Sequence, residues 1–201
     1  MSQATYLALL DDMYALTGRP DLLAESALAL RKATMKFHLA DLWKNDITFA
    51  LITVPVLDSS AESFRYTLDL TVSATYPLVR KVASISEYNV TPTGYELQFT
   101  ELDQDRIMDS YAIEMVNYWY QAGRQVSLRA NKLLTTLRVN YYRFPDVAPT
   151  VYDSWIAEQF KDNIVVEAAA TVFATIGKDA EAARYAGMFQ ESLQLLRMSE
   201  I

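Results

Sequence analysis

Residues 150–197 read TVYDSWIAEQFKDNIVVEAAATVFATIGKDAEAARYAGMFQESLQLLR, and this stretch decides the fold. Trp155, Ile156, Phe160, Ile164, Val165, Ala168, Ala169, Val172, Phe173 and Ile176 recur mostly at three- and four-residue steps. Such steps share one helix face, so one long apolar helix is predicted. Ala182, Ala186, Phe189, Leu193 and Leu196 then follow a 4-3-4-3 spacing, which makes a narrow apolar seam on a second helix. Between them lie Ile176, Gly177, Lys178 and Asp179. Gly177 suits the left-handed conformation that stops a helix, and Asp179 suits a cap that accepts hydrogen bonds from the free amides of the next one. Helices joined so tightly fold back on each other. The small Ala168, Ala169, Ala170, Ala182, Ala183 and Ala186 allow their backbones to approach.

The remainder supplies this hairpin with partners. Tyr6 to Leu16 reads as a short helix with Tyr6, Leu10 and Met13 on one side, ended by Gly18, Arg19 and Pro20. A second helix is expected from about Asp21 to Trp43. It carries two apolar stripes: Leu23, Ala27, Leu30, Thr34 and Phe37, then Leu28, Met35, Leu39 and Leu42. Two stripes mean neighbours on both sides, or one face kept for another chain. The period then changes to two. Phe64, Tyr66, Leu68, Leu70 and Val72 alternate with polar residues, as do Leu137, Val139 and Tyr141. Further strands are expected over residues 48–56, 78–85, 95–99, 112–120 and 125–130, with a turn at Gln121–Arg124. No crossover helix is visible among them, so the sheet should be mostly antiparallel. The expected class is α+β: a sequence-split four-helix bundle, residues 1–46 and 145–201, with a β-rich module, residues 47–144, inserted between helices 2 and 3.

Composition narrows function. The chain has 201 residues, is 51% apolar, and has 25 acidic against 18 basic side chains, a formal charge of -7. Net acidity argues against general phosphate-backbone binding. The absence of cysteine excludes disulfides and thiolate metal sites, and suits a reducing cytoplasm. The N-terminal residues lack a basic run, and Asp11 and Asp12 interrupt the apolar stretch behind them, so no signal peptide is expected. No apolar run reaches the roughly 20 residues that span a bilayer.

Motifs of catalysis are missing. The five glycines, Gly18, Gly94, Gly123, Gly177 and Gly187, form no phosphate-binding loop or dinucleotide fingerprint. His38 is the single histidine and is read as a surface or boundary residue of the second helix. Asp103, Asp105, Asp109 and Glu114 fill positions 1, 3, 7 and 12 of a calcium loop, but Ile107 and Met108 occupy positions 5 and 6, so a solvated acidic turn is expected. The aromatic clusters at Tyr118–Tyr120 and Tyr141–Phe144 are assigned to sheet packing. Arg31, Lys32 and Lys36 form a small basic stretch, either a solvated helix face or a contact with DNA or an acidic partner. No cofactor or metal is expected.

Several strings resemble the head-to-tail adaptor proteins of tailed bacteriophages, most of all the tail tubular protein A, or gatekeeper, type of short-tailed phages. These are Tyr141 to Val147 leading into the helical hairpin; Phe99 to Asp103 through Asp109, Ser110 and Tyr111; Tyr118 to Leu128 with Ala122 and Gly123 at the tip; and Trp155 to Leu196. The resemblance implies a non-catalytic ring, usually a dodecamer, in the virion neck, made in the bacterial host cytoplasm. It implies a portal protein on one side, a tail nozzle protein on the other, genomic DNA passing through the bore, and no membrane. It implies portal docking by the C-terminal segment, which here offers Leu195, Leu196, Arg197, Met198 and Ile201. Turns of the β-module offer Thr91, Thr93, Gly94, Gln121, Gly123 and Arg124 to the tail side. Two other readings stand beside it: a protein-binding module acting through a sheet edge, and a carboxylate-dependent enzyme built on the Asp103–Asp109 turn.

Overall fold

The long apolar run at the end of the chain breaks at Phe160. In the computed structural model, which describes residues 3–54, 58–60, 63–71, 78–89, 96–102 and 116–199, it forms two helices. They are α3 (Trp155–Gln159) and α4 (Lys161–Thr175), with Phe160 at φ -131° between them. The expected single helix is therefore corrected. Ser154, in extended backbone, caps α3 by accepting from the Ala157 amide, which fixes where α3 begins. The Trp155 indole donates to Asp46 at 2.8 Å and the Phe160 ring meets Trp155 edge-on at 6.2 Å. The first of these contacts is tertiary, 109 residues apart in sequence, and the second is local to the break.

The stop after α4 follows from Gly177. It sits at φ +73°, where a side chain is strained. Gly177 N–H donates to the Ala174 carbonyl and Lys178 N–H to the Phe173 carbonyl, so the orphan carbonyls of the last turn are satisfied by a Schellman motif. The chain turns directly into α5 (Asp179–Ser199), with Asp179 and Glu181 in its first turn, where the helix dipole favours negative charge. At the other end of the sequence lie α1 (Gln3–Thr17) and α2 (Leu23–Leu39).

The chain divides into two compact units, residues 1–46 with 144–201, and residues 47–143. In the helical unit α4 packs against α1, α2 and α5. Ala168, Ala169 and Ala170 are all buried on it, and small residues let the neighbouring backbones close in. Leu9, Met13, Leu30, Phe37, Trp43, Tyr152, Ile156, Ile164, Val172 and Leu196 form one continuous core with it. The predicted seam of α5 is only half sealed. Phe189, Leu193 and Leu196 are buried, whereas Ala182 is half-buried and Ala186 is exposed. Alanine methyls are too short to fill the space, and the stacked rings of Phe173 and Tyr185, 5.4 Å apart, carry the contact there. An open groove lined by Ala170, Ala174, Ala182, Ala183 and Ala186 remains between α4 and α5.

Tyr152 is the polar landmark of this core. It is fully buried, its ring lies 5.6 Å from Tyr6, and its hydroxyl hydrogen-bonds to Thr34. Burial pushes its pKa up to about 12, against a smaller opposing effect of the Thr34 hydrogen bond. A raised folded pKa leaves stability intact below the unfolded value near 10 and removes it as pH climbs through the folded value. Chemical denaturation across pH 9 to 12 should lose roughly 2–3 kcal/mol to this group alone. Tyr152→Phe should flatten that part of the profile; an unchanged profile would show that Tyr152 ionises without resistance.

The second unit is an eight-stranded sheet in the order β1-β8-β4-β5-β6-β7-β3-β2. Its strands are β1 (Ile47–Thr53), β2 (Asp58–Ser60), β3 (Ser63–Asp69), β4 (Val79–Glu87), β5 (Gln98–Glu101), β6 (Tyr118–Ala122), β7 (Gln125–Ala130) and β8 (Thr136–Arg143). All pairs are antiparallel except the short β5–β6 pair. The period-two reading holds over β3 and the following Leu70: Tyr66, Leu68 and Leu70 are buried and Phe64 is half-buried, while Arg65, Thr67 and Asp69 face water; Val72 lies outside the described residues. Tyr66 also accepts a hydrogen bond from the Leu134 amide at 2.7 Å. The β6–β7 hairpin turns through Gly123 at φ +62°. The core of this unit gathers Tyr66, Val82, Ile85, Trp119, Val126, Leu128, Leu137, Val139 and Tyr141.

Candidate functional site

The two stripes of α2 part company. Leu30, Thr34 and Phe37 enter the helical core, although Leu23 of the same stripe is 57% exposed; in the other stripe Leu28 and Leu39 are each 52% exposed and the following Leu42 is 38% exposed. A helix displaying this much apolar surface has an unpartnered face. Beside it runs an open groove of about 560 Å³ between α2 and α5, lined by Arg31, Lys32, Met35, Lys36, Leu39, Ala40 and Phe189. The basic stretch singled out in the sequence is thus the rim of an apolar groove. Phe37 and Phe189 hold the two helices together at a ring separation of 4.8 Å.

The three cations have different surroundings. Lys36 is tied down: its ammonium lies 2.6 Å from Glu167 Oε1 and 3.8 Å from the centroid of the Phe189 ring. Arg31 Nε is buried with no hydrogen-bond partner. Such a donor costs free energy until an acceptor reaches it. Lys32 is exposed and forms no ion pair among the described residues. Chemically, the groove can hold an apolar ridge and ion-pair a carboxylate at its edge.

His38 is not a surface residue, and that expectation is corrected. It is 2% exposed. Its Nδ1 lies 2.9 Å from Asp46 Oδ1 and its Nε2 lies 2.9 Å from Ser154 Oγ. A carboxylate only accepts, so Nδ1–H donates to Asp46. With a neutral ring, Nε2 then accepts the Ser154 hydroxyl. The same residue types in the same order form the nucleophile–base–acid triads of hydrolases. Here Ser154 is 2% exposed and its oxygen also accepts from the Ala157 amide at 3.2 Å, as the cap of α3. None of the described grooves is lined by it. The arrangement therefore locks α2, the turn at Lys44–Asp46 and the start of α3 together, with Trp155 as a second donor to Asp46.

The other sequence candidates scatter. Leu196 is fully buried in the helical core, so it is removed from the docking set. Arg197 pairs with Asp41 at 3.0 Å. Leu195 and Met198 are 60% and 72% exposed on α5. Gln121, Gly123 and Arg124 lie together at the β6–β7 hairpin tip, where Gln121 Nε2 donates to the Gly123 carbonyl at 2.9 Å. Thr91, Thr93, Gly94 and Ile201 lie outside the described residues, as do Asp103, Asp105, Asp109 and Glu114. Among the described residues no three of His, Cys, Asp and Glu gather so as to hold a metal ion. No described helix is long and apolar enough to cross a membrane.

One strong feature was outside sequence reach. Ile47, Phe49 and Leu51 project from β1 with 41%, 54% and 44% exposure, on a strand with β8 as its partner on one side. A strand was expected over residues 48–56, but whether the face these residues share is covered is a tertiary matter. No protein-family model matches the chain, and no curated protein matches it.

Proposed function

We propose that this chain is a structural subunit of the head-to-tail adaptor ring of a tailed bacteriophage, standing between portal and tail nozzle in the virion neck and leaving a bore for the genome. In this reading α1, α2, α4 and α5 are the sequence-split four-helix bundle of the subunit, and the β-module is its insert. The observation that carries the proposal is the uncovered apolar surface of the helical unit, namely Leu28, Leu39 and Leu42 with Met188, Leu195 and Met198. They form two exposed apolar rows on one helical unit, and sibling copies in a ring would cover both. The formal charge of -7 supports a bore that DNA traverses without being held. Native mass measurement over a concentration series, with and without an isolated portal ring, tests it. A closed ring of about a dozen copies is expected from the resemblance; a chain that remains monomeric in both conditions ends the reading.

A second reading has its own support. The exposed row on β1 suits addition of an extended partner strand to the sheet edge. Phe49→Lys should abolish such binding while leaving ring formation untouched.

A further inference from the structure

Helix α5 offers a second exposed face. Met188, Leu195 and Met198 are 42%, 60% and 72% exposed, and the exposed Glu191 stands in the same row. Their spacing of three, four and three residues is that of one helix face. A helix turns about 100° per residue, which puts this row on the side away from the buried Phe189, Leu193 and Leu196. It is an apolar ridge with a carboxylate in its middle, and it has the anchor spacing of a helix that lies in a groove.

We propose that this ridge docks in the basic groove between α2 and α5 of a second copy of the chain. The chemistry matches at each point. Met35, Leu39 and Phe189 give the groove an apolar lining that Met188, Leu195 and Met198 can cover. Arg31 and Lys32 face the groove without ion-pair partners among the described residues, and Glu191 brings the missing carboxylate. An arginine fork on a carboxylate is among the stronger ion-paired hydrogen bonds. Groove and ridge lie on different sides of the same helix, so one copy cannot satisfy itself. The contact is head-to-tail, and a head-to-tail contact repeats until it closes or forms a filament. It rests on the ring reading for closure, although the contact itself can be tested separately. It also moves Leu195 and Met198 from the portal face to the seam between subunits.

Charge reversal tests it. Arg31→Glu with Lys32→Glu should weaken self-association by about tenfold or more in sedimentation velocity, and Glu191→Lys should do the same. Each variant should keep the parent circular dichroism melt. An equimolar mixture of the two should recover association, because each altered face then meets its complement. The chain contains no cysteine, so pairing can also be mapped directly. Leu195→Cys copies mixed with Met35→Cys copies should form a disulfide-linked heterodimer under mild oxidation, whereas Leu195→Cys with Thr67→Cys should not. Association unchanged by either reversal, or no Leu195–Met35 link in concentrated protein, overturns the seam. If rings form regardless of the reversals, the seam is wrong and the adaptor reading stands. If Leu195→Asp abolishes portal attachment but leaves rings intact, the ridge faces the portal instead, and the seam is again overturned. A wild-type chain that forms no ring, with or without portal, together with cysteine variants that do not link, removes both.

Discussion

Replacing His38 by alanine is expected to lower the stability of the helical unit by about 3–5 kcal/mol. The side chain is 2% exposed and Asp46 is 4% exposed, so water cannot take over the lost contacts. Asp46 would keep the Trp155 indole on Oδ1, but Oδ2 would lose the 3.0 Å contact to the ring. The Ser154 hydroxyl would lose its partner on Nε2. An imidazole-sized cavity would add to both losses. Ser154→Ala removes less, the cap on Ala157 and one hydrogen bond, and should cost about 1–2 kcal/mol. Urea denaturation at neutral pH, followed by far-ultraviolet circular dichroism, gives both values. A His38→Ala loss below that of Ser154→Ala would show that the imidazole is not the centre of the lock.

Trp119→Ala should be comparably severe, about 3–5 kcal/mol, but in the other unit. Trp119 is 1% exposed on β6, opposite Leu128 of β7, and belongs to a core that includes Tyr66, Val126 and Leu137. No alanine neighbour can grow into a void of that size. Because the two buried clusters share no residue, the loss should be local. Hydrogen exchange read by mass spectrometry should show faster exchange over β3, β6 and β7, with α2 and α4 protected as before. Equal acceleration of α4 would mean that the two cores unfold as one.

What the sequence made legible was periodicity. Tyr66, Leu68 and Leu70 alternate because a strand has two faces, and the inference needs nothing beyond the strand. Gly177 and the residues around it likewise carry a local rule, and the helix stop is where that rule puts it. The groove rim was half legible: Arg31, Lys32 and Lys36 stand out as a basic stretch, but their shared groove needs Phe189, more than 150 residues away. The failures share this cause. His38 is eight residues from Asp46 and 116 from Ser154, so nothing near it in sequence announces burial. The break at Phe160 goes with an indole hydrogen bond from Trp155 to Asp46, 109 residues away, a contact that a helical wheel does not contain. Leu196 shows a different error. Its place in the 4-3-4-3 seam marked it as interior, and the resemblance-based docking set overrode that physical signal.

The gathering of α1 and α2 with α3, α4 and α5 into one unit has a consequence during translation. The ribosome delivers the first two helices, then the whole of residues 47–143, and only afterwards the helix that completes their core. At about 5–20 residues per second, a gap of about a hundred residues leaves Leu9, Leu30 and Phe37 without their permanent neighbours for roughly 5–20 s. Nascent chains at that stage should recruit holdase chaperones, and α1–α2 protection should arise only when α4 clears the exit tunnel.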